Sequence, residues 1–178
     1  STRNIPDNKI IICGSPRHDS FFKLSSPSID SKEKTILLCP RPIVEPAARH
    51  HTRMYIKYEY NLRKIISELN KIKNCKLIVK LHPGNIDHNN LIKNIVNEIN
   101  PNIIVFHTKS IRELIIQSNL VLVLSPDGFD PSTVILESII LKKPIINFIL
   151  DEKFYNFSFD QYNAVISITK NDDVGKIV

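Results

Sequence analysis

The sequence predicts an α/β domain: a doubly wound, mostly parallel Rossmann-like sheet with helices on both faces. Three observations predict it. Short β-branched, apolar runs recur along the 178 residues. Stretches of helical period separate them, the alternation that gives a parallel sheet covered by helices. Prolines and serines stand where those helices should stop and start.

The strands are read at Lys9 to Cys13, Thr35 to Cys39, Lys76 to Leu81, Ile103 to Phe106, Leu120 to Leu124, Pro144 to Phe148 and Val165 to Ile168. Each is a run too short for a helix and rich in Ile, Val or Leu. The longest helix, Met54 to Lys71, gathers Ile56, Tyr60, Leu62, Ile65, Ile66 and Leu69 near one face, with charged residues opposite. Leu91 to Ile99, Ser110 to Gln117 and Thr133 to Leu141 are the other helices. Pro101 and Pro144 mark where helices have ended, and Ser110 and Ser132 are suited to N-cap positions. Residues 1–34 differ from the rest. After one short strand and the turn-like Gly14-Ser15-Pro16-Arg17 they become rich in Ser, Asp and Lys without period, which reads as an interdomain connector. Residues 35–178 read as the compact domain, and both ends look cut from a longer polypeptide.

Composition excludes several classes. The net charge of +6 favours anionic ligands, but the basic residues are scattered and form no interaction tail. Aromatic residues are not interleaved with them as a single-strand stacking platform requires, so no nucleic acid is expected. Cys13, Cys39 and Cys75 lack C-x-x-C spacing, which argues against a disulfide framework and a zinc site. No stretch reaches the roughly 18 uninterrupted apolar residues of a membrane span, because Glu137, Lys142 and Lys143 break the longest candidate. A cytoplasmic location is expected. G-x-G-x-x-G, Walker A and G-x-S-x-G patterns are all absent.

Two segments carry the chemistry: Lys80-Leu81-His82-Pro83-Gly84, and Asp130-Pro131-Ser132-Thr133 followed by Glu137. Each follows an apolar run, and ligands of open α/β sheets bind outside the carboxyl ends of the strands. His82 is placed at such an end, where its imidazole can donate to a phosphate oxygen or merely cap the strand. Lys80 either flanks the pocket or faces solvent. Ser132 at an N-cap would leave the following N–H groups and the positive end of the helix dipole free for an anion, with the Thr133 hydroxyl beside them. Glu137 is a carboxylate among Val134, Ile135, Leu136, Ile139 and Ile140. It suits a pair of ribose hydroxyls, or else lies on an exposed stripe with Lys143. The loop after the second strand carries Arg41, Glu45, Arg49, His50, His51 and Arg53. Arginine there can clamp a pyrophosphate or be an ordinary basic surface.

The order of Gly14-Ser15-Pro16-Arg17-His18-Asp19, a strand ending in Pro40, the His82-Pro83 segment, Ser132-Thr133 with Glu137, and Lys143-Pro144-Ile145-Ile146 resembles the C-terminal half of two-Rossmann, GT-B type transferases. Among these it is most similar to enzymes of surface and capsular polysaccharide synthesis, including CDP-glycerol glycerophosphotransferases and bacterial polysialyltransferases. The resemblance covers nearly the whole chain. It implies a domain that binds a CMP-, CDP- or UDP-linked donor, with a carbohydrate or lipid-linked acceptor held by a separate N-terminal domain, possible placement at the inner membrane surface, and no metal or other cofactor. By the same resemblance His82 is the catalytic residue and contacts the donor phosphate. Ser132 and Thr133 hold phosphate and Glu137 takes the ribose; from the residue reading, Arg49, Arg53 and Lys80 are the further donor-site candidates. UDP-N-acetylglucosamine 2-epimerases share the architecture, although their histidine usually lies in a His-x-Asn-Pro context. A non-catalytic nucleotide- or phosphate-binding module is another alternative, and nucleic-acid binding through the basic surface a third.

Overall fold

The structure, a computed structural model, describes residues 16–24, 32–43, 51–126, 132–150, 159 and 162–178. Its strands are β1 (Lys34–Pro40), β2 (Cys75–Lys80), β3 (Ile104–Phe106), β4 (Leu120–Ser125), β5 (Ile145–Ile149) and β6 (Ile166–Thr169). They form one six-stranded sheet in the order β3-β2-β1-β4-β5-β6, and every pairing is parallel. This is the doubly wound order expected of the sequence, with the chain leaving β1 toward β2 on one side and returning as β4 on the other. The crevice at the carboxyl ends of β1 and β4 is therefore the natural ligand site.

Parallel strands buried on both faces need apolar side chains in both directions, and the runs supply them. In β1, Ile36 and Leu38 enter one core while Leu37 and Cys39 enter the other. The first core packs against α2 (His51–Leu69) and α3 (Ile86–Ile99), through Tyr58, Leu62, Ile65 and Ile66 of the former and Ile92, Ile95 and Val96 of the latter. The second packs against α4 (Ile111–Gln117) and α5 (Thr133–Ile140), through Leu114, Ile115 and Ile135. Phe21 of the short α1 (Asp19–Phe22) joins this second core, so part of the stretch read as a connector packs onto the domain. After β6, α6 (Val174–Ile177) returns to the first face, where the Val174 N–H donates to Glu68 Oε2 at 3.0 Å.

Several element bounds differ from the sequence reading. The strands agree to within a residue at most ends. The helix read at Met54–Lys71 spans His51–Leu69. The helix read from Leu91 starts instead at Ile86. Its added turn is polar, which hides its period, but the Asn85 side chain accepts from the His88 N–H at 3.1 Å and fixes the start. Ser110 and Ser132 do occupy N-cap positions, yet neither hydroxyl makes a capping hydrogen bond. The carbonyl of Ser110 accepts from Leu114 at 3.2 Å and that of Ser132 from Ile135 at 2.9 Å. The strand read at Lys9–Cys13 lies outside the described residues. Among the described residues no helix is long and apolar enough to cross a membrane.

Replacing Asn85 by Ala removes the cap of α3 and is expected to cost about 1 kcal/mol. A lower urea midpoint with an unchanged slope would show it. An unshifted midpoint would mean that packing alone sets the start of this helix.

Candidate functional site

The β2 end of the crevice is built by backbone hydrogen bonds before any side chain acts. The Leu81 N–H donates to the Phe106 carbonyl at 2.8 Å, carrying the pairing of β2 with β3 one residue past the strand. Lys80 points to the α5 side of the sheet and is nearly buried. Its ammonium donates to the carbonyls of Leu81 at 2.8 Å and His107 at 2.7 Å, and so bridges the ends of β2 and β3. Burial lowers its pKa, with Cys39 opposing the shift. Neither sequence alternative, a solvated lysine or a pocket-flanking one, describes this clamp fully.

His82 follows directly and is exposed. The Gly84 N–H donates to its Nδ1 at 3.2 Å, which makes Nε2 the protonated nitrogen of the neutral ring. The N–H donor of the ring is thus fixed at Nε2. Partial burial lowers the His82 pKa, and the charges of Lys80 and Arg41 add to the effect. From below, the Asn89 side chain donates to the His82 carbonyl at 2.7 Å. Gly84 has no positive φ, and a Cβ there would meet the His82 ring at an ordinary 3.8 Å. Its part in the turn is its N–H.

Beneath this turn lies a second histidine. His88 is buried in the first turn of α3 and its Nε2 hydrogen-bonds to the Tyr58 hydroxyl at 3.0 Å, with ring centroids 4.8 Å apart. Burial drives the His88 pKa down to about 4, the Arg41 backbone opposing the shift and His82 adding to it. Burial likewise raises the Tyr58 hydroxyl well above its ordinary value, while Arg41 pulls it down. The Arg41 N–H donates to the Leu124 carbonyl at 3.0 Å, which seats Arg41 at the junction of β1 and β4.

The other wall belongs to β4, β5 and α5. Buried Ser125, at the end of β4, donates its hydroxyl to Asn147 Oδ1 at 2.7 Å and ties β4 to β5. Ser132 is buried at the α5 N-cap with its hydroxyl unused for capping, and Thr133 is exposed beside it. One turn on, Glu137 is 3% exposed. Its Oε1 lies 3.9 Å from Arg17 Nη2, and its Oε2 is buried without a partner. Desolvation raises its pKa, with Arg17 and His18 opposing. Glu137 is therefore not on an exposed stripe, and Lys143 is engaged elsewhere, donating to the Ile116 carbonyl at 2.9 Å. Between the walls sits Cys39, its thiol pushed up to about 12 by burial, with Lys80 lowering and Glu137 raising the value. Lys80 and Glu137 thus act on the same point at the end of β1 from opposite sides.

The two sequence segments do meet one sheet edge, then, His82 and Lys80 on the β2 side and Ser132, Thr133 and Glu137 on the α5 side. Arg53 lies exposed in the first turn of α2. Arg49 lies outside the described residues, as does the loop around Asp130-Pro131. Sequence reading named Arg41 only as one of several basic loop residues and missed Tyr58, His88, Asn89 and Asn147. Only the Asn85-x-x-His88 capping pattern could have signalled that α3 starts early enough to bring His88 and Asn89 under His82.

A parallel doubly wound sheet with a helix N-terminus and a buried carboxylate at its switch point puts these residues where open α/β sheets take ligands. Residues 1–167 match the CDP-Glycerol:Poly(glycerophosphate) glycerophosphotransferase family, and the chain belongs to that family of transferases. Among solved structures the chain is similar to the N-terminal domain of trehalose-6-phosphate phosphatase from Candida albicans. The TM-score is 0.51 at 19% identity, covering 88% of this chain and 33% of that one, which shows a shared fold. It is also similar to TarM from S. aureus, solved with Fondaparinux, alpha-GlcNAc-glycerol and UDP, at a TM-score of 0.49 and 13% identity over 86% of this chain and 30% of that one. WaaG, a glycosyltransferase involved in lipopolysaccharide biosynthesis, gives 0.46 and 16% over 83% and 38%. The chain spans about a third of the length of these structures. No curated protein matches it significantly.

Two outcomes are expected of the site's supports. Lys80→Met leaves two strand-end carbonyls without their donor and should cost about 1–3 kcal/mol in chemical denaturation. A loss of nucleotide affinity without loss of stability would overturn the clamp. His88 titrates near 6.5 when unfolded but near 4 when folded, so the unfolded chain takes up the proton first on acidification. Stability should fall by about 3 kcal/mol as pH drops from 6.5 to 4. His88→Gln should lack that part of the acid sensitivity in parallel melts.

Proposed function

We propose that this chain is the donor-nucleotide-binding domain of a GT-B type transferase of surface polysaccharide biosynthesis, moving a sugar or polyol phosphate from a nucleotide-activated donor to an acceptor hydroxyl. The observation that carries the reading is the presence, at one sheet edge, of His82, whose Nδ1 is taken by the Gly84 N–H, and of a buried carboxylate, Glu137, whose Oε2 lacks a partner. The first suits a phosphate oxygen and the second a hydroxyl, the two ends of a nucleotide. Membership of a glycerophosphotransferase family supports a CDP-linked polyol phosphate donor. On this reading residues 1–34 lead in from the acceptor-binding half and residues 35–178 hold the donor. A carbohydrate or lipid-linked acceptor would be presented by the other half, at the inner membrane surface where the acceptor is lipid-linked.

For a CDP-linked polyol, the acceptor hydroxyl oxygen attacks the β-phosphorus. A new P–O bond forms as the bond to the bridging oxygen breaks, CMP leaves with the electron pair, and the hydroxyl proton passes to a base on the acceptor side. His82 cannot be that base while Nδ1 accepts from Gly84 and Nε2 carries the proton. Its part is to donate to the phosphate that gathers charge. The positive end of the α5 dipole and the Ser132 and Thr133 hydroxyls would act on the same charge from the other side of the sheet edge. Arg53, and Arg49 from the loop before α2, would add cationic donors to the pyrophosphate.

Calorimetry with CMP, CDP, UDP and GDP tests the reading. Cytidine nucleotides should bind preferentially, with His82→Ala and Ser132→Ala each weakening CDP about tenfold. Absent or equal binding of all four would overturn it.

A further inference from the structure

Two fully buried polar atoms near the α5 wall have no hydrogen-bond partner: Glu137 Oε2, and Nε2 of His18 at the end of the 3₁₀ turn Pro16–His18. They belong to neighbouring groups. Arg17 Nη2 lies 3.9 Å from Glu137 Oε1, and the adjacent His18 acts electrostatically on the same carboxyl. The His18 ring is steadied by Phe21, with centroids 6.2 Å apart, and Phe21 is anchored in the second core. Both side chains are therefore held in place while one polar atom of each stays unsatisfied. Buried groups of this kind are rarely left so without reason, and two together point to a ligand with two adjacent polar groups.

The chemistry of the pair narrows the ligand. A carboxylate oxygen only accepts, which disfavours a phosphate here and favours a hydroxyl. An imidazole nitrogen donates or accepts according to tautomer and so pairs with a second hydroxyl beside the first. A neutral vicinal diol satisfies both atoms at once. The Arg17 charge lies 3.9 Å from Oε1, and Oε2 is left without a partner.

We infer that His18 is a specificity-determining residue that, together with Glu137, reads the vicinal diol of the donor's ribose. This rests on the donor-nucleotide reading above and adds a contact from the segment preceding the compact sheet. Calorimetry should compare CDP with its 2′-deoxy and 3′-deoxy analogues on the wild-type chain, His18→Ala and Glu137→Gln. Wild type should prefer CDP over at least one deoxy analogue by about tenfold or more. His18→Ala should bring that preference to within about twofold, while affinity for the deoxy analogue itself stays nearly unchanged. Where His18→Ala fails to fold by circular dichroism, His18→Phe, which keeps the ring and its packing but lacks the nitrogen, carries the test. The inference falls if His18 variants weaken CDP and its analogues by the same factor, or leave the preference intact while Glu137→Gln removes it. The latter leaves the donor reading standing. Failure of wild type to bind CDP removes both.

Discussion

The site depends on the parallel pairing of β1 with β2 on one side and β4 on the other. Because both neighbours run the same way, every strand end that carries a polar group opens on one edge, and the connections out of β1 and into β4 pass over opposite faces. The pairing is held by side chains that leave little room for choice. Leu37 and Leu38 are fully buried on opposite faces of one strand. Pro40 closes β1 opposite Leu124, and the next N–H, that of Arg41, completes the ladder on the Leu124 carbonyl. A one-residue slip of β1 would exchange its two cores and move Cys39 away from Lys80 and Glu137.

Burial explains both what the sequence could reveal and what it hid. The β strands were legible as apolar runs because a parallel sheet covered on both faces demands them, and Glu137 stood out because a carboxylate in such company is unusual. For Lys80 the sequence left a pocket-flanking and a solvated position open, because alternation gives direction and not depth. The carbonyls of Leu81 and His107 that receive its ammonium come from the pairing of β2 and β3, which no local pattern contains. The start of α3 was hidden for a related reason. Its first turn is polar because it serves the His82 turn, through Asn89 on the His82 carbonyl and His88 on Tyr58, instead of the apolar core. Ser132 was legible as a helix start, whereas the idleness of its hydroxyl in capping could be seen only in three dimensions.

The electrostatics of the crevice follow from where charges are already engaged. The Lys80 cation is held by backbone carbonyls and Lys143 by the Ile116 carbonyl, so neither ammonium is simply displayed to solvent. Glu137 is kept buried within reach of Arg17 and His18, which oppose the desolvation that raises its pKa. On the donor reading, a crevice with this arrangement attracts a phosphate through preset N–H groups and a helix terminus more than through mobile cations. Such donors need little reorganisation when charge develops on the leaving group.

His82 and His88 show how far environment divides one residue type. His88 is enclosed, bonded to Tyr58 and driven down to about 4, which keeps it neutral and fixed over the working pH range. His82 is exposed, with one nitrogen tied to the Gly84 N–H. The buried ring and Asn89 sit on consecutive residues of the same helical turn, one locking α3 to α2 and the other holding the His82 carbonyl. The His82 turn is thus held by a chain of neutral contacts running back into the first core. A charge introduced at His88 would strike the residue that positions the donor before it reached the donor itself.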